Sequence, residues 1–165
     1  MAENFLAKVF EHNNWANAKI IQACLALSDE QLDAPPPSAT EGSIRSTMTH
    51  LVSAQYGYLR ILTLPLEERQ DRATVQFAEL GESLKASGEQ LLDLARDESK
   101  LPMTHIQTRD GYNVEPWVIM VQIINHATEH REQIKSMLSA LGVTPPDIDG
   151  WDYGEATNAL IPISK

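Results

Sequence analysis

Cysteine is almost absent: Cys24 is the single thiol in 165 residues, so no disulfide can form within the chain, which suits a reducing cytoplasm. Positive charge is scarce as well. Thirteen Lys and Arg stand against 23 Asp and Glu, a formal net charge of −10. That balance argues against nucleic acid and anionic membrane surfaces as partners, because both are bound through clustered Lys and Arg. Long hydrophobic runs are missing. The strongest, Trp117 to Ile124, falls far short of the ~20 apolar residues a membrane helix needs. The opening Met1-Ala2-Glu3-Asn4 lacks the basic segment of a secretory signal, so a cytoplasmic location is expected. There is no internal repeat, P-loop, dinucleotide-binding glycine fingerprint or Gly-x-Ser-x-Gly elbow. What is present is 42% hydrophobic and 22% charged residues, ordinary globular proportions that predict a single domain over residues 1–165.

The strongest breaks are Pro35-Pro36-Pro37, Pro65, Pro102, Asp110-Gly111, Gly142 and Pro145-Pro146. They leave four long segments with helical character. The first spans roughly Ala2 to Leu27, with Phe5, Val9, Ala16, Ile20, Cys24 and Leu27 on one apolar face. Ser28 and Gln31 then read as the capping box of a short helical turn. The second segment follows Ser43, a good N-cap, and ends near Thr63; its face is Ile44, Met48, Leu51, Gln55, Tyr58 and Leu62. The third, about Arg72 to Ser99, is more polar and interrupted by Gly81 and Gly88. The fourth starts at Pro116, suited to a first helical position, and stops before Gly142. Between the last two, Met103 to Thr108 and Tyr112 to Val114 flank Arg109-Asp110-Gly111, the pattern of a small hairpin or extended loop. The fold class is therefore all-α, a four-helix bundle.

Histidine carries the chemical signal. His126 and His130 are four apart in the fourth segment, which puts both imidazoles on one face one turn apart, close enough to meet one metal ion. They lie along Ile123–His126–His130–Gln133–Met137, at the border of the apolar face, where a charged ring is costly and a neutral, ligating ring is not. His50, in the stripe Thr47–His50–Ala54–Ile61 of the second segment, is the best third ligand, because facing helices of a bundle commonly pool side chains into one site. Three imidazoles with an open position suit Zn²⁺; Ni²⁺, Co²⁺ and Fe²⁺ also fit. Two other readings compete. The histidines can be packing residues bonded to backbone or carboxylates. Alternatively, His126-Ala127-Thr128-Glu129-His130 fits the H-x-x-E-H string of inverted zinc peptidases. In that case Glu129 is the general base, and Asp147, Asp149, Asp152 or Glu155 supplies the third ligand.

With these residues in place the chain resembles the DinB/YfiT-like metal-binding four-helix bundles over nearly its whole length. His12-Asn13-Asn14-Trp15-Ala16-Asn17 is similar to the family's aromatic-Asn-x-Trp-Ala-Asn signature, with His12 where tyrosine is usual. His50-Leu51-Val52-Ser53-Ala54 falls where the family places its first histidine, and His126-Ala127-Thr128-Glu129-His130-Arg131-Glu132-Gln133-Ile134 is like its H-x3-H-R-x-Q-I. Leu141-Gly142-Val143, then Pro145-Pro146-Asp147, is similar to its ending. The resemblance implies the metal triad His50, His126 and His130, nickel or zinc, a left-handed up-down-down-up bundle and a homodimer. It also implies a class of thiol S-transferases that use bacillithiol or mycothiol, together with a mycothiol-dependent maleylpyruvate isomerase. The function expected is metal-dependent chemistry on a small molecule, with thiol transfer from a low-molecular-weight thiol first, metal-dependent hydrolysis second, and a non-catalytic metal-binding or sensor protein as the alternative.

Several further residues carry expectations. Asn13 falls near the centre of the first apolar face, as a buried amide bonded to a neighbouring carbonyl or as a contact to site or substrate. His12 is expected at the surface or an interface, and His105 in solvent on the hairpin. Gln133, three after His130, can orient an imidazole. Arg131 lies off that face, with a salt bridge as its default and pairing with an anionic substrate as the alternative. Cys24 reads as a buried structural thiol, and Trp15, Trp117 and Trp151 as packing or dimer contacts.

Overall fold

The computed structural model describes residues 4–36, 42–70 and 75–163. The expected helix start at Ala2, Pro37 of the proline break and the expected helix start at Arg72 lie outside these residues. The helices are α1 (Phe5–Leu25), α2 (Asp29–Leu32), α3 (Ile44–Thr63), α4 (Leu80–Arg96), α5 (Pro116–Ala140) and α6 (Gly150–Ala156). Strands β1 (Ile106–Gln107) and β2 (Asn113–Val114) pair antiparallel around Gly111, whose φ of +89° suits only glycine in so tight a turn. The expected hairpin is therefore present. No helix among the described residues is long and apolar enough to cross a membrane.

The helix ends follow the local chemistry. Ser28 and Gln31 bond reciprocally and start α2, while Ser43 caps α3 through the Ser46 amide. Pro116 occupies the first turn of α5. At its other end, Gly142 takes φ +73°, and Val143 N–H returns to the Leu138 carbonyl at 3.0 Å, so orphan carbonyls are satisfied. Two expectations are corrected. α4 begins at Leu80 rather than near residue 72, because Gln76 is extended and 77–79 form a tight turn. Phe5 is 81% exposed. The buried stripe of α1 is instead Ala7, Phe10, Asn13, Ala16, Asn17, Ile20, Ile21 and Cys24.

Side-chain registers give the topology. α1 and α4 run antiparallel: Asn4 donates to the Ala95 carbonyl at 2.8 Å, Asn14 donates to that of Gly88 at 2.8 Å, and Gly81 faces Ile21. A Cβ at Gly88 would lie 2.6 Å from the Asn14 Oδ1, so the absence of a side chain allows this close crossing. α3 and α5 are also antiparallel, with His50 against His126 and His130, and Tyr58 against Gln122. α1 and α5 run parallel, as do α3 and α4, since each pair starts and ends in the same apolar clusters. The order is up-down-down-up. α1 and α3 each pack on α4 and α5 and stand diagonally opposite one another.

Two apolar clusters fill the bundle. One is built on Ile20, Met48, Leu84 and Ile134, the other on Phe10, Leu59, Leu91 and Ile123. Between them lies a polar layer. The Arg131 Nη1 donates to the Oδ1 atoms of Asn13 and Asn17, each at 2.7 Å, and its Nη2 to Thr128 Oγ1 at 3.0 Å. Asn17 Nδ2 donates across the diagonal to Gln55 Oε1 at 3.1 Å. Gln55 Nε2 in turn donates to the Leu84 carbonyl at 3.0 Å and to Ser87 Oγ at 2.8 Å. One hydrogen-bonded chain thus joins all four long helices. Arg131 is 4% exposed and none of its bonds goes to a carboxylate, which corrects the expected salt bridge. Asn13 is buried as expected, but its oxygen accepts from this guanidinium, and its Nδ2 donates to no carbonyl among the described residues. Cys24 is buried, and desolvation pushes its thiol up to about 12.

Because hydrogen bonds to charged groups are worth about 1.5–3 kcal/mol, Asn17→Ala is expected to lower unfolding stability by about 2–4 kcal/mol, since it removes one acceptor of Arg131 and leaves Gln55 Oε1 without its donor. Gln122→Ala, at an exposed position, should change it by less than about 0.5 kcal/mol. Urea titration of both variants checks the contrast, and equal losses would remove the energetic role given to the polar layer.

Candidate metal centre

The histidines come from two helices that share one polar layer. His126 and His130 stand one turn apart on α5, immediately before Arg131, so the bonds that pin the guanidinium also set the rotation of α5. His50 sits two turns into α3, opposite them. The His126 Nε2 lies 3.0 Å from the His50 Nε2 and 3.1 Å from the His130 Nε2. All three ligand nitrogens fall within 4.8 Å of one another, and among the described residues no further His, Cys, Asp or Glu joins them. The structure therefore brings together the three residues singled out in sequence, in an arrangement that could hold a metal ion.

Hydrogen bonding shows that the donor set fits a cation. The His130 Nδ1 donates to Gln133 Oε1 at 2.7 Å, which leaves a lone pair on its Nε2. The His126 Nε2 can offer either one hydrogen or one lone pair, yet it faces two ring nitrogens at once. One hydrogen cannot satisfy both neighbours. A shared cation would satisfy all three lone pairs, and the three nitrogens lie close enough together to share one.

Two of the rings, His126 and His50, are pushed towards their neutral forms. Burial, then the neighbouring His130 and His50, bring His126 down to about 4. His50 is lowered by burial and then by His130. Access is from one side: His50 is exposed while His126 and His130 are half-buried. Tyr58 closes another side. Its ring meets that of His126 edge-on with centroids 5.6 Å apart, and its hydroxyl accepts a bond from Gln122 at 3.4 Å. Tyr58 was placed in the apolar face by its spacing; only its position eight residues after His50, two turns along one side of α3, hinted at contact with the site.

The remaining candidates lie elsewhere. His12 is half-buried and donates to the Ile148 carbonyl at 2.9 Å, so it ties the C-terminal segment to α1 rather than standing at the surface. His105 is exposed and pairs with Glu115 at 3.0 Å. Trp15 packs against Tyr153, whereas Trp117 and Trp151 are exposed, at 63% and 75%. The inverted-peptidase pattern is not assembled. Glu129 is exposed, and Asp149 and Asp152 form the capping box of α6, which packs on α1.

In the metal-free protein the His126 ring should titrate near 4 rather than near the ordinary ~6.5. The fold favours its neutral form, so the stability it contributes is complete above about pH 6.5 and is lost as pH falls towards 4. Histidine ring proton shifts followed by NMR test this directly; a midpoint at 6 or above would mean that the ring is well solvated.

The family model described as "DinB family" matches residues 1–163. No curated protein matches the chain significantly. Among solved structures, a proposed member of the DinB family from Exiguobacterium sibiricum 255-15 is similar in fold, with a TM-score of 0.65 and 18% identity, over 86% of this chain and 94% of that one. Coverage, topology and the meeting of the three histidines agree, and the chain belongs to the DinB family.

Proposed function

We propose that His50, His126 and His130 bind one divalent ion, zinc or nickel, and that the protein catalyses transfer of a low-molecular-weight thiol to a small electrophile. The observation that carries this reading is the convergence of three Nε2 atoms on one point, with the His130 Nδ1 committed to Gln133. A bound divalent ion would supply the charge that favours thiolate over thiol at neutral pH. The chain's own groups do the rest. Gln133 fixes the tautomer and ring orientation of His130. Tyr58, steadied by Gln122, covers the edge of His126 and excludes water there. The exposed side of His50 leaves an approach for both reactants. The lack of a fourth protein ligand among the described residues supports an open, catalytic position over a closed structural one. Thiol transfer rather than hydrolysis follows the family resemblance and the lack of a carboxylate grouped with the histidines among the described residues. The same resemblance implies a homodimer, while the single cysteine suits a cytoplasmic protein and the length a single domain.

Metal analysis by mass spectrometry should find about one zinc or nickel per chain, lost in His50→Ala, His126→Ala and His130→Ala. Gln133→Ala should weaken metal affinity by about 10–100-fold while the circular dichroism spectrum is kept. The metal-loaded protein should accelerate conjugation of a chromogenic electrophile by small thiols, and each histidine variant should abolish the acceleration. A parent that takes up neither metal would remove the centre. A metal-loaded parent inert with thiols but active on esters would convert the assignment to hydrolysis.

A further inference from the structure

Beside the histidines, α3 continues along one edge of a cavity of about 440 Å³. Its lining includes Ser53, Gly57, Arg60 and Ile61 of α3, Arg69 of the following loop, and Arg109 at the hairpin tip. Ser53 and Gly57 lie three and seven residues after His50, so they share its side of the helix. Three arginines round one cavity are unusual in a chain with 13 basic and 23 acidic residues.

Two of these guanidinium groups, those of Arg60 and Arg69, are held in place by neutral groups. Arg69 donates from Nε to the Leu64 carbonyl at 2.9 Å and from Nη1 to that of Gln107 at 2.6 Å. Arg60 donates from Nη2 to the Glu68 carbonyl and lies over the Tyr56 ring at 5.7 Å. Backbone carbonyls hold these two side chains in place and leave their charge uncancelled. The Arg60 Nε is buried with no partner among the described residues, a donor whose desolvation costs free energy until an acceptor arrives. Burial lowers Arg69, and Arg109 lowers it further, so the two cations feel each other; Glu67 acts in the opposite sense. Asp110 also lines the cavity. A planar fork of N–H donors matches the paired oxygens of carboxylate and phosphate.

We propose that this cavity is an anion subsite, in which Arg60, Arg69 and Arg109 take a carboxylate or phosphate of a small molecule whose other end reaches the histidines. At ~1.5 Å rise per residue, Gly57 and Arg60 lie about 10 and 15 Å along α3 from His50. The ligand class is therefore an extended anionic small molecule of that reach, and the cavity volume lies within the range of small-molecule sites. The placement of the far end rests on the histidines being the reactive centre; anion binding itself does not.

The test uses metal-free full-length protein at low ionic strength, titrated with inorganic phosphate and separately with succinate, and followed by amide NMR. Saturable shifts confined to residues 53–61 and 107–111 are expected with at least one anion; which anion binds tells phosphate from carboxylate. Arg60→Gln and Arg109→Gln should each weaken binding tenfold or more with spectral dispersion retained, and Arg60→Lys should fall between. Lys85→Gln, a cation in the groove between α1 and α4, should change nothing. No saturable shift with either anion, or equal weakening by Lys85→Gln, overturns the subsite. His126→Ala should bind the anion as the parent does, so loss of the metal reading would leave this result standing, and failure of the anion titration in a protein that does load metal would strike the subsite alone.

Discussion

A buried guanidinium without a carboxylate governs this bundle. Arg131 stays charged at neutral pH, although desolvation brings it down to about 10. A cation in that position is tolerated only where neutral dipoles surround it. Asn13 and Asn17 on α1 provide them, and Asn17 passes the constraint on to Gln55 of α3 and from there to α4. Apolar clusters above and below allow some sliding of one helix past another at modest cost. The polar layer does not, because a shift of one residue would leave a charged donor unpaired. It fixes the axial register of α5 against α1 and α3, and therefore where the histidines meet.

Seen this way, the separate sequence signatures are parts of one device. The asparagines of His12-Asn13-Asn14-Trp15-Ala16-Asn17 receive the arginine of His126-x3-His130-Arg131, and the glutamine that follows holds the His130 ring. Outward from α5, the imidazoles face solvent and His50; inward, the arginine faces the amides. Consecutive residues on a helix point about 100° apart, so His130 and Arg131 serve different surroundings from adjacent positions. His12, which replaces the usual tyrosine, takes no part in the centre and instead fastens the segment before α6 onto α1.

Charge is partitioned in the same economical manner. The chain is strongly acidic overall, the histidine cluster that could hold a metal has two rings pushed towards neutrality, and three arginines line the cavity beside it. Neutral imidazoles favour a cation, whereas the arginines favour an anion, and the two lie along one side of α3. A reactive group and an anionic handle on one small molecule could thus be sorted by electrostatics before any close fit is made.

The sequence alone determined the all-α class, the capped starts of α2, α3 and α5, the glycine stop after α5, the hairpin and the three histidines. Each rests on local spacing: helical period, cap chemistry or an i,i+4 pair expresses itself within a few residues. The family resemblance added the up-down-down-up order. Only the tertiary structure decided the role of Arg131, which spacing placed off the His126–His130 face and left to a default salt bridge. Its acceptors lie more than a hundred residues away on α1, and no local pattern shows that the far side of α5 faces the centre of the bundle. The exposure of Phe5, the start of α4 at Leu80, the docking of His12 on Ile148 and the closure of Tyr58 over His126 share that cause. Amphipathic period says which side of a helix is apolar, whereas the neighbours that cover it are set by packing between segments distant in the chain.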